Sequence, residues 1–517
     1  MAQGFGARVA CLLVISVGLF VSGAVAHSAD ITWGGIYRVE ADQIQDSELS
    51  SANTDKAYVL HHLILNPKMT LGDGLNIYSR LDILNSTAYG INNSHQVTSV
   101  AGDVLGDGPG TPVSTTTPYG PQNGTDSNSS GSTQAAGAIA ITELYLSWSH
   151  EFGQFIVGRV PLQFGLGVAY SAGNGLFDHY ITTKDLVAYK LVFGNLYVMP
   201  IKAKVNEGAL NTFADVDDYM VQVGYDNPDT ELSLGFMYDL HVVTGNDSPV
   251  GPSGGAASGG APFLGSPAFA GPQARTGSYT NTLMSFFFSE KPLPSLRASV
   301  EFDLAQGSTG IQWAPGASTG LNAYGLATEL AWLPHDNSKW SGKLKFGLAT
   351  GDDPGTYDVD EGFQFNRNYQ IAQLMFHQPL GQADILRTGL VRNTNIAPSA
   401  QLDTEAVSNA IYIAPSLNYQ LRDNISFMWT LVYARLNKDP MGPGANTAMD
   451  LGYEGDFSVT WKPMERLTWV SGIGALLPGN AWRGATSAYN NGLSTTPADS
   501  FENKMAFGLE SKAAISF

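Results

Sequence analysis

The chain ends on NKMAFGLESKAAISF, residues 503–517, and this stretch alternates up to its last residue. Met505, Phe507, Leu509, Ser511, Ala513, Ile515 and Phe517 share one parity. Lys504, Ala506, Gly508, Glu510, Lys512, Ala514 and Ser516 share the other. A strand points successive side chains to opposite faces, so the segment predicts a strand with one apolar face and one charged or small face. A soluble sandwich rarely finishes so abruptly on an aromatic residue, and the start of the chain shows what kind of sheet this strand closes.

Residues 1–26 read as a secretory signal peptide: Arg8, an apolar run from Val9 to Val21, and the small-residue site Ala24-Val25-Ala26. The only cysteine, Cys11, lies inside it, so residues 27–517 hold no thiol for disulfides or thiolate metal sites. Beyond residue 26 no apolar run approaches the ~18 residues of a spanning helix. Only 14% of the chain is charged, with 58 Gly, 24 Phe, 22 Tyr and 9 Trp, and the net charge of −19 makes it a poor candidate for a nucleic-acid partner, so none is expected. These features leave a β-solenoid, a string of sandwiches or a membrane β-barrel.

Alternating segments recur throughout. Leu296, Ala298, Val300, Phe302 and Leu304 interleave with Arg297, Ser299, Glu301 and Asp303. The connections are of two kinds. Short ones include 71–74, 151–153, 194–195, 226–230, 291–295, 334–338, 422–424 and 462–465; long polar ones span 87–136, 161–183, 244–279 and 351–408. Short turns on one side and long loops on the other mark a transmembrane antiparallel β-barrel. Strands are expected near 31–43, 57–70, 75–86, 137–149, 154–160, 184–193, 196–205, 216–226 and 231–243. The second half adds 280–290, 296–304, 321–332, 340–350, 409–421, 425–436, 450–461, 466–477 and 502–517. That count is about eighteen, sixteen being an alternative, and NYQIAQLMF (368–376) is read as part of a folded loop. Trp33, Trp148, Trp332, Trp340, Trp429, Trp461 and Trp469 all fall beside the first strand's start or a short turn. They predict an aromatic girdle at the periplasmic rim. The final strand then closes the barrel, since closure leaves no unpaired edge.

On these residues the chain resembles bacterial outer-membrane porins. Its last strand, ending in Phe517, is similar to the signal such proteins show the barrel-assembly machinery. VGRVPLQFGLG (157–167) looks like the strand end that precedes a porin's in-folded third loop. FGLATGDDP (346–354) is more loosely similar to specific channels of the alginate-export type, from which no residue is carried over. The resemblance implies an integral outer-membrane channel for small hydrophilic solutes, in contact with lipid and lipopolysaccharide, with a homotrimer left open.

A barrel of this size leaves an aqueous lumen. Strand parity places Arg159, Lys190, Lys202 and Lys204 inward as a basic patch. Porins of this kind set a basic wall against acidic loops, and two loops offer acid here: 161–183 with Asp178, and 351–361 with Asp352, Asp353, Asp358, Asp360 and Glu361. The alternative is that inward charges pair along the wall: Arg38 with Glu40, Arg80 with Asp82, and Arg297 with Glu301 and Asp303. Calcium binding by GDDPGTYDVDE (351–361) ranks below an exposed acidic loop, because the EF-hand register is missing. Inward Tyr78 and Tyr145 are the sole hint of an aromatic track. His61 and His62 point to opposite faces and cannot share a metal. No H-E-x-x-H, G-x-S-x-G or phosphate-binding loop is present, so neither enzyme activity nor a cofactor is expected. The leading reading is passive diffusion with mild cation preference. The alternatives are a substrate-specific channel for a sugar, organic acid or exported polysaccharide, and, ranked last, an adhesin or structural barrel.

Overall fold

The computed structural model describes residues 29–47, 49, 55–88, 139–206, 216–244, 278–314, 317–333, 338–353, 356, 358–378, 380–381, 406–439, 448–482 and 504–517. The predicted signal peptide and most of the predicted loops 87–136 and 244–279 lie outside these residues.

Strand segments follow one another along the chain. They begin with β1 (Asp30–Thr32), β2 (Gly35–Gln45), β3 (Lys56–Leu65), β4 (Lys68–Gly72), β5 (Leu75–Ala88), β6 (Ile139–His150) and β7 (Gly153–Pro161). Then come β8 (Thr183–Phe193), β9 (Leu196–Asn206), β10 (Val216–Asn227), β11 (Leu232–Val243), β12 (Tyr279–Leu293), β13 (Leu296–Ala314) and β14 (Ala317–Trp332). The last are β15 (Trp340–Ala349), β16 (Val359–Asp360), β17 (Ala410–Arg422), β18 (Ile425–Leu436), β19 (Asp450–Met464), β20 (Leu467–Pro478) and β21 (Ala506–Ser516). Three are accessories. β4 continues the stave of β3 past Pro67, which has no N–H for a ladder; β1 pairs with β4, and β16 lies parallel beside β14. The other eighteen form one antiparallel ring in which each stave pairs with the next.

The ring closes where the final segment predicts. β21 pairs with β2 from Ile36↔Ser516 to Gln45↔Phe507. At the seam the Gly35 N–H donates to the Phe517 carbonyl at 3.0 Å and the Phe517 N–H to the Gly35 carbonyl at 3.1 Å. Phe507, Leu509 and Ile515 are exposed on the outside, whereas Ala506, Lys512 and Ala514 are buried within, which is the predicted parity. All seven girdle tryptophans are exposed, and Trp340 stacks with Trp429 and Trp461 with Trp469. A closed barrel with an apolar outer belt and an aromatic rim near its short turns is the construction of an integral outer-membrane protein. No helix among the described residues is long and apolar enough to cross a membrane; this chain crosses with strands.

The core is unusual in its position, because it lies inside the ring. Residues 162–182, between β7 and β8, and 361–378 with 380–381, after β16, fold inward and bury Phe164, Val168, Tyr170, Phe363, Phe365, Leu374 and Met375. The segment NYQIAQLMF lies within the second of these loops, as predicted. The wall beneath is built of small residues: Ala323, Ala327, Ala349, Ala410, Ala414 and Ala434. A Cβ on Gly325 would come within 2.6 Å of the Phe363 ring, so this wall position admits the aromatic only as glycine. Burying large rings against such a wall contributes roughly 1.5–3 kcal/mol each, which offsets the entropy of ordering two loops.

Candidate functional site: the loop-lined lumen

Inward charges hold the loops in place. On the first loop, Arg80 donates to the Gly173 carbonyl at 3.0 Å and Arg38 to that of Leu176 at 3.3 Å. Glu301, fully buried on β13, accepts the backbone N–H groups of Leu166, Val168 and Ala169. Tyr170 donates its hydroxyl to Asp239 at 2.7 Å, and burial beside that carboxylate pushes the phenol well above its ordinary range. On the second loop, Glu454 of β19 accepts from the Leu374 and Met375 N–H groups at 2.6 and 2.7 Å, and Asp456 from that of Gln373 at 3.2 Å. The loops also grip each other: Asn368 receives the Tyr180 N–H on its amide oxygen and donates to the Tyr180 carbonyl.

His179 closes the first loop against the wall. Its Nε2 lies 3.1 Å from Glu40 and its Nδ1 3.4 Å from an Arg38 guanidinium nitrogen. A neutral ring satisfies both, donating to the carboxylate and accepting from the arginine, whereas a second proton would point at a cation. Burial is the largest influence and lowers the pKa to about 4. The docked form therefore refuses a proton that the free imidazole, near 6.5, accepts. Docking is strongest above about pH 6.5 and weakens by up to ~3 kcal/mol as pH falls towards 4. Channel steps are expected to grow and become noisier over that window. His179→Gln, whose amide can make both bonds, should flatten the response; an unchanged pH profile in that variant would assign it elsewhere.

The predicted residues sort as follows. Arg38–Glu40 pairs at 3.1 Å and Arg80–Asp82 at 3.2 Å, both buried in the lumen wall. Asp178 lies on the first loop, its carboxylate accepting the Gly175 N–H at 2.7 Å, with burial raising its pKa. His62 is buried inside against Asp82, away from His61. Inward Tyr78 and Tyr145 stack with ring centroids 5.0 Å apart.

Three of the four basic residues are corrected. Residues opposite each other on neighbouring strands share a face. Arg159 pairs in register with exposed Leu144, Asp185 with Arg159, Lys204 with Asp185, and Asp217 with Lys204. Arg159, Lys202 and Lys204 thus stand on the outside of the barrel near the upper ends of short staves. Arg159 bonds Asp185 through two nitrogens at 2.7 and 2.9 Å, Lys204 lies 3.5 Å from Asp217, and Lys202 covers the Tyr219 ring. Only Lys190 faces the lumen, 4.0 Å over the ring of Tyr197. That ring lies flat on the wall because Gly224 has no side chain; a Cβ there would meet it at 2.2 Å.

Two further expectations change. Arg297 joins Lys291 at Glu231 on a short turn instead of pairing with Glu301 or Asp303. Glu301 binds the first loop, and the Asp303 oxygens, wholly buried, have no hydrogen-bond partner among the described residues. The segment 351–361 is not a uniformly exposed acidic face: Asp358 is exposed, Asp353 and Glu361 lie near Lys438 at 3.4 and 3.9 Å, but Asp352 and Asp360 are buried.

Lumen charges overlooked in the sequence include Lys343 and Lys345, both paired with Glu329. Lys345 also donates to the Gln370 carbonyl at 2.8 Å and lies over Tyr369. β15 stands nine staves from β6 in the ring of eighteen, so these lysines lie on the wall opposite the one that carries Glu143 and Tyr145. Their shared parity with lumen-facing Gly347 was the signal available.

No protein-family model and no curated protein sequence matches the chain. Among solved structures, OccK9 (OpdG) of Pseudomonas aeruginosa aligns over 94% of this chain and 98% of its own at 10% identity, TM-score 0.49. A BenF-like porin from Pseudomonas fluorescens aligns over 94% and 98% at 9% identity, TM-score 0.46. OmpT, an outer membrane protein of Vibrio cholerae, aligns over 96% and 100% at 10% identity, TM-score 0.36. By its own strand pairing and outer surface, the chain is a closed eighteen-stave outer-membrane β-barrel with two loops docked in its lumen.

Proposed function

We propose that the protein is a porin, a water-filled channel that lets small hydrophilic solutes or ions diffuse passively across the outer membrane. The observation that carries this reading is the inverted chemistry of the wall. Below its charged upper row the outside is apolar, while the inside offers exposed Ser149 and part-exposed Gln154, Lys190, Gln222, Lys343 and Glu510 to water. Selection would act at the constriction built by the two loops, by size and by the charges facing it. The excess of 46 acidic over 27 basic residues supports a mild cation preference. A non-enzymatic role accords with inward carboxylates spent on anchoring loops. The outer row of Arg159, Lys202 and Lys204 would face lipid headgroups or lipopolysaccharide, and Phe517 would be read by the assembly machinery.

Single-channel conductance in a planar bilayer, followed by the reversal potential across a KCl gradient, tests this. Large steady steps are expected; a correctly folded barrel without steps overturns the reading. Lys190→Gln should strengthen cation preference, while Lys202→Gln and Lys204→Gln should leave the reversal potential unchanged. An equal shift from the outer pair would contradict the assignment of faces. A second reading, a substrate-specific channel, is favoured by one observation: two loops with an apolar core fill much of the lumen. Small steps blocked by one solute class would select it.

A further inference from the structure

Two loops that fold in from different staves have no need to move together. The first is gripped by Glu301 of β13 and the second by Glu454 of β19, five staves further round the ring. Between them stands the run Asn366-Arg367-Asn368. The Asn366 N–H donates to the Val168 carbonyl at 2.6 Å, and its amide donates to the Thr182 hydroxyl at 3.3 Å. Asn368 donates from Nδ2 to the Tyr180 carbonyl at 2.6 Å and to Ser171 Oγ at 3.0 Å, and its Oδ1 accepts the Tyr180 N–H at 3.1 Å. Both donors of that amide and its oxygen are thereby engaged on the first loop. The Arg367 guanidinium lies 5.1 Å over the Tyr180 ring. The clasp is stiff on both sides. Asn366 Oδ1 accepts the Asn368 N–H at 3.0 Å, an Asx-turn, and the Asn366 carbonyl accepts the Tyr369 N–H at 2.9 Å. On the first loop the Thr182 N–H donates to the Ser171 carbonyl at 2.7 Å and the Ser171 N–H to the Thr182 hydroxyl at 3.4 Å, which closes the neck of residues 171–182. Val168 joins wall to clasp: its N–H donates to Glu301 at 3.3 Å and its carbonyl accepts from Asn366. A path of hydrogen bonds and backbone therefore runs from β13 through both loops to β19.

We propose that the run 366–368 locks the two loops into one body, so that the constriction opens as a single gate and not loop by loop. Neither loop leaves its wall without breaking the clasp or drawing the other with it. Such coupling is reciprocal: weakening either wall anchor loosens the opposite loop by the same factor. Several hydrogen bonds between packed partners correspond to a coupling of about tenfold. The mechanical coupling is independent of what the channel conducts; the concerted opening rests on the porin reading.

The test is amide hydrogen exchange of the full chain refolded in detergent micelles, read by mass spectrometry on peptides from 162–182 and 361–378. Glu454→Ala should speed exchange in both segments, by up to about tenfold in 162–182, although Glu454 bonds only the second loop. Glu301→Ala should act on 361–378 in the same way. In an Asn368→Ala background, Glu454→Ala should change 361–378 alone. If Glu454→Ala does not fold, Glu454→Gln should give the same pattern at smaller amplitude. An anchor variant that opens 361–378 while 162–182 keeps its wild-type exchange overturns the proposal. So does an equal response of 162–182 with and without the Asn368 substitution, which would route the coupling elsewhere. In a planar bilayer the wild type should switch between two levels and Asn368→Ala should add intermediate ones. Coupled exchange in a barrel that conducts nothing would defeat the porin reading and leave the clasp standing.

Discussion

Replacing Glu454 with alanine is expected to enlarge the single-channel step several-fold. Glu454 is fully buried on β19 and its two oxygens each accept a backbone N–H of the second loop, from Leu374 and Met375. With Asp456 on the Gln373 N–H, three consecutive amides are held by carboxylates from one strand. Truncation leaves two buried donors without partners, at roughly 1–3 kcal/mol each. The packing of Phe363, Phe365 and Leu374 remains, so the loop should loosen before it leaves. A docking penalty of about 3 kcal/mol lowers the docked population's equilibrium constant by ~10²-fold. Glu454→Gln, which keeps one good acceptor, should fall between wild type and alanine. An unchanged step in the alanine variant, with the barrel intact on a heat-modifiability gel, would show that residues 361–381 do not narrow the channel.

The strands were legible in the sequence wherever one face meets lipid and the other meets water. β21, β2 and β13 alternate cleanly, and their inner parity was read correctly from Glu510, Lys512, Arg38, Glu40, Glu301 and Asp303. Reading failed on β7 and β9, though not for Lys190 on β8 between them, for a physical reason. There the lumen wall is itself apolar, with Leu186, Ala188, Ile201 and Ala203 buried under the first loop. Both faces of these strands then look greasy, and Lys202 and Lys204 fall to the lumen by default although their register puts them outside. A better signal was side-chain size. Ala323, Gly325 and Ala327 on β14, Gly347 and Ala349 on β15, and Ala410 and Ala414 on β17 leave room for the rings of an in-folded loop. Partners far apart in the chain, such as Arg297 with Glu231, 66 residues away, or Asn368 with Tyr180, 188 residues away, have no local signature at all.

Lys184 supplies the contrast between a charge inside the wall and one outside it. It projects inward from β8 and is 12% exposed. Its ammonium contacts Asp218 and lies 3.2 Å from Asp239. Asp218 in turn meets His241 at 2.6 Å, and Asp239 receives the Tyr170 hydroxyl that ties down the first loop. Lys184→Met keeps the stem but strips two buried carboxylates of their shared cation, an uncompensated charge that costs about 3–5 kcal/mol. Arg159→Met removes the outer pair with Asp185, whose side chain is 49% exposed, and surface pairs contribute only ~0–1 kcal/mol. Urea unfolding in micelles should therefore place the Lys184 variant far below wild type and the Arg159 variant close to it. If the Lys184 variant does not fold, Lys184→Met combined with Asp218→Asn and Asp239→Asn should recover most of the loss, because the carboxylates that needed the cation are then neutral. Equal stability of the two single variants, or a triple variant as unstable as Lys184→Met alone, would show that the cluster does not hold this wall together.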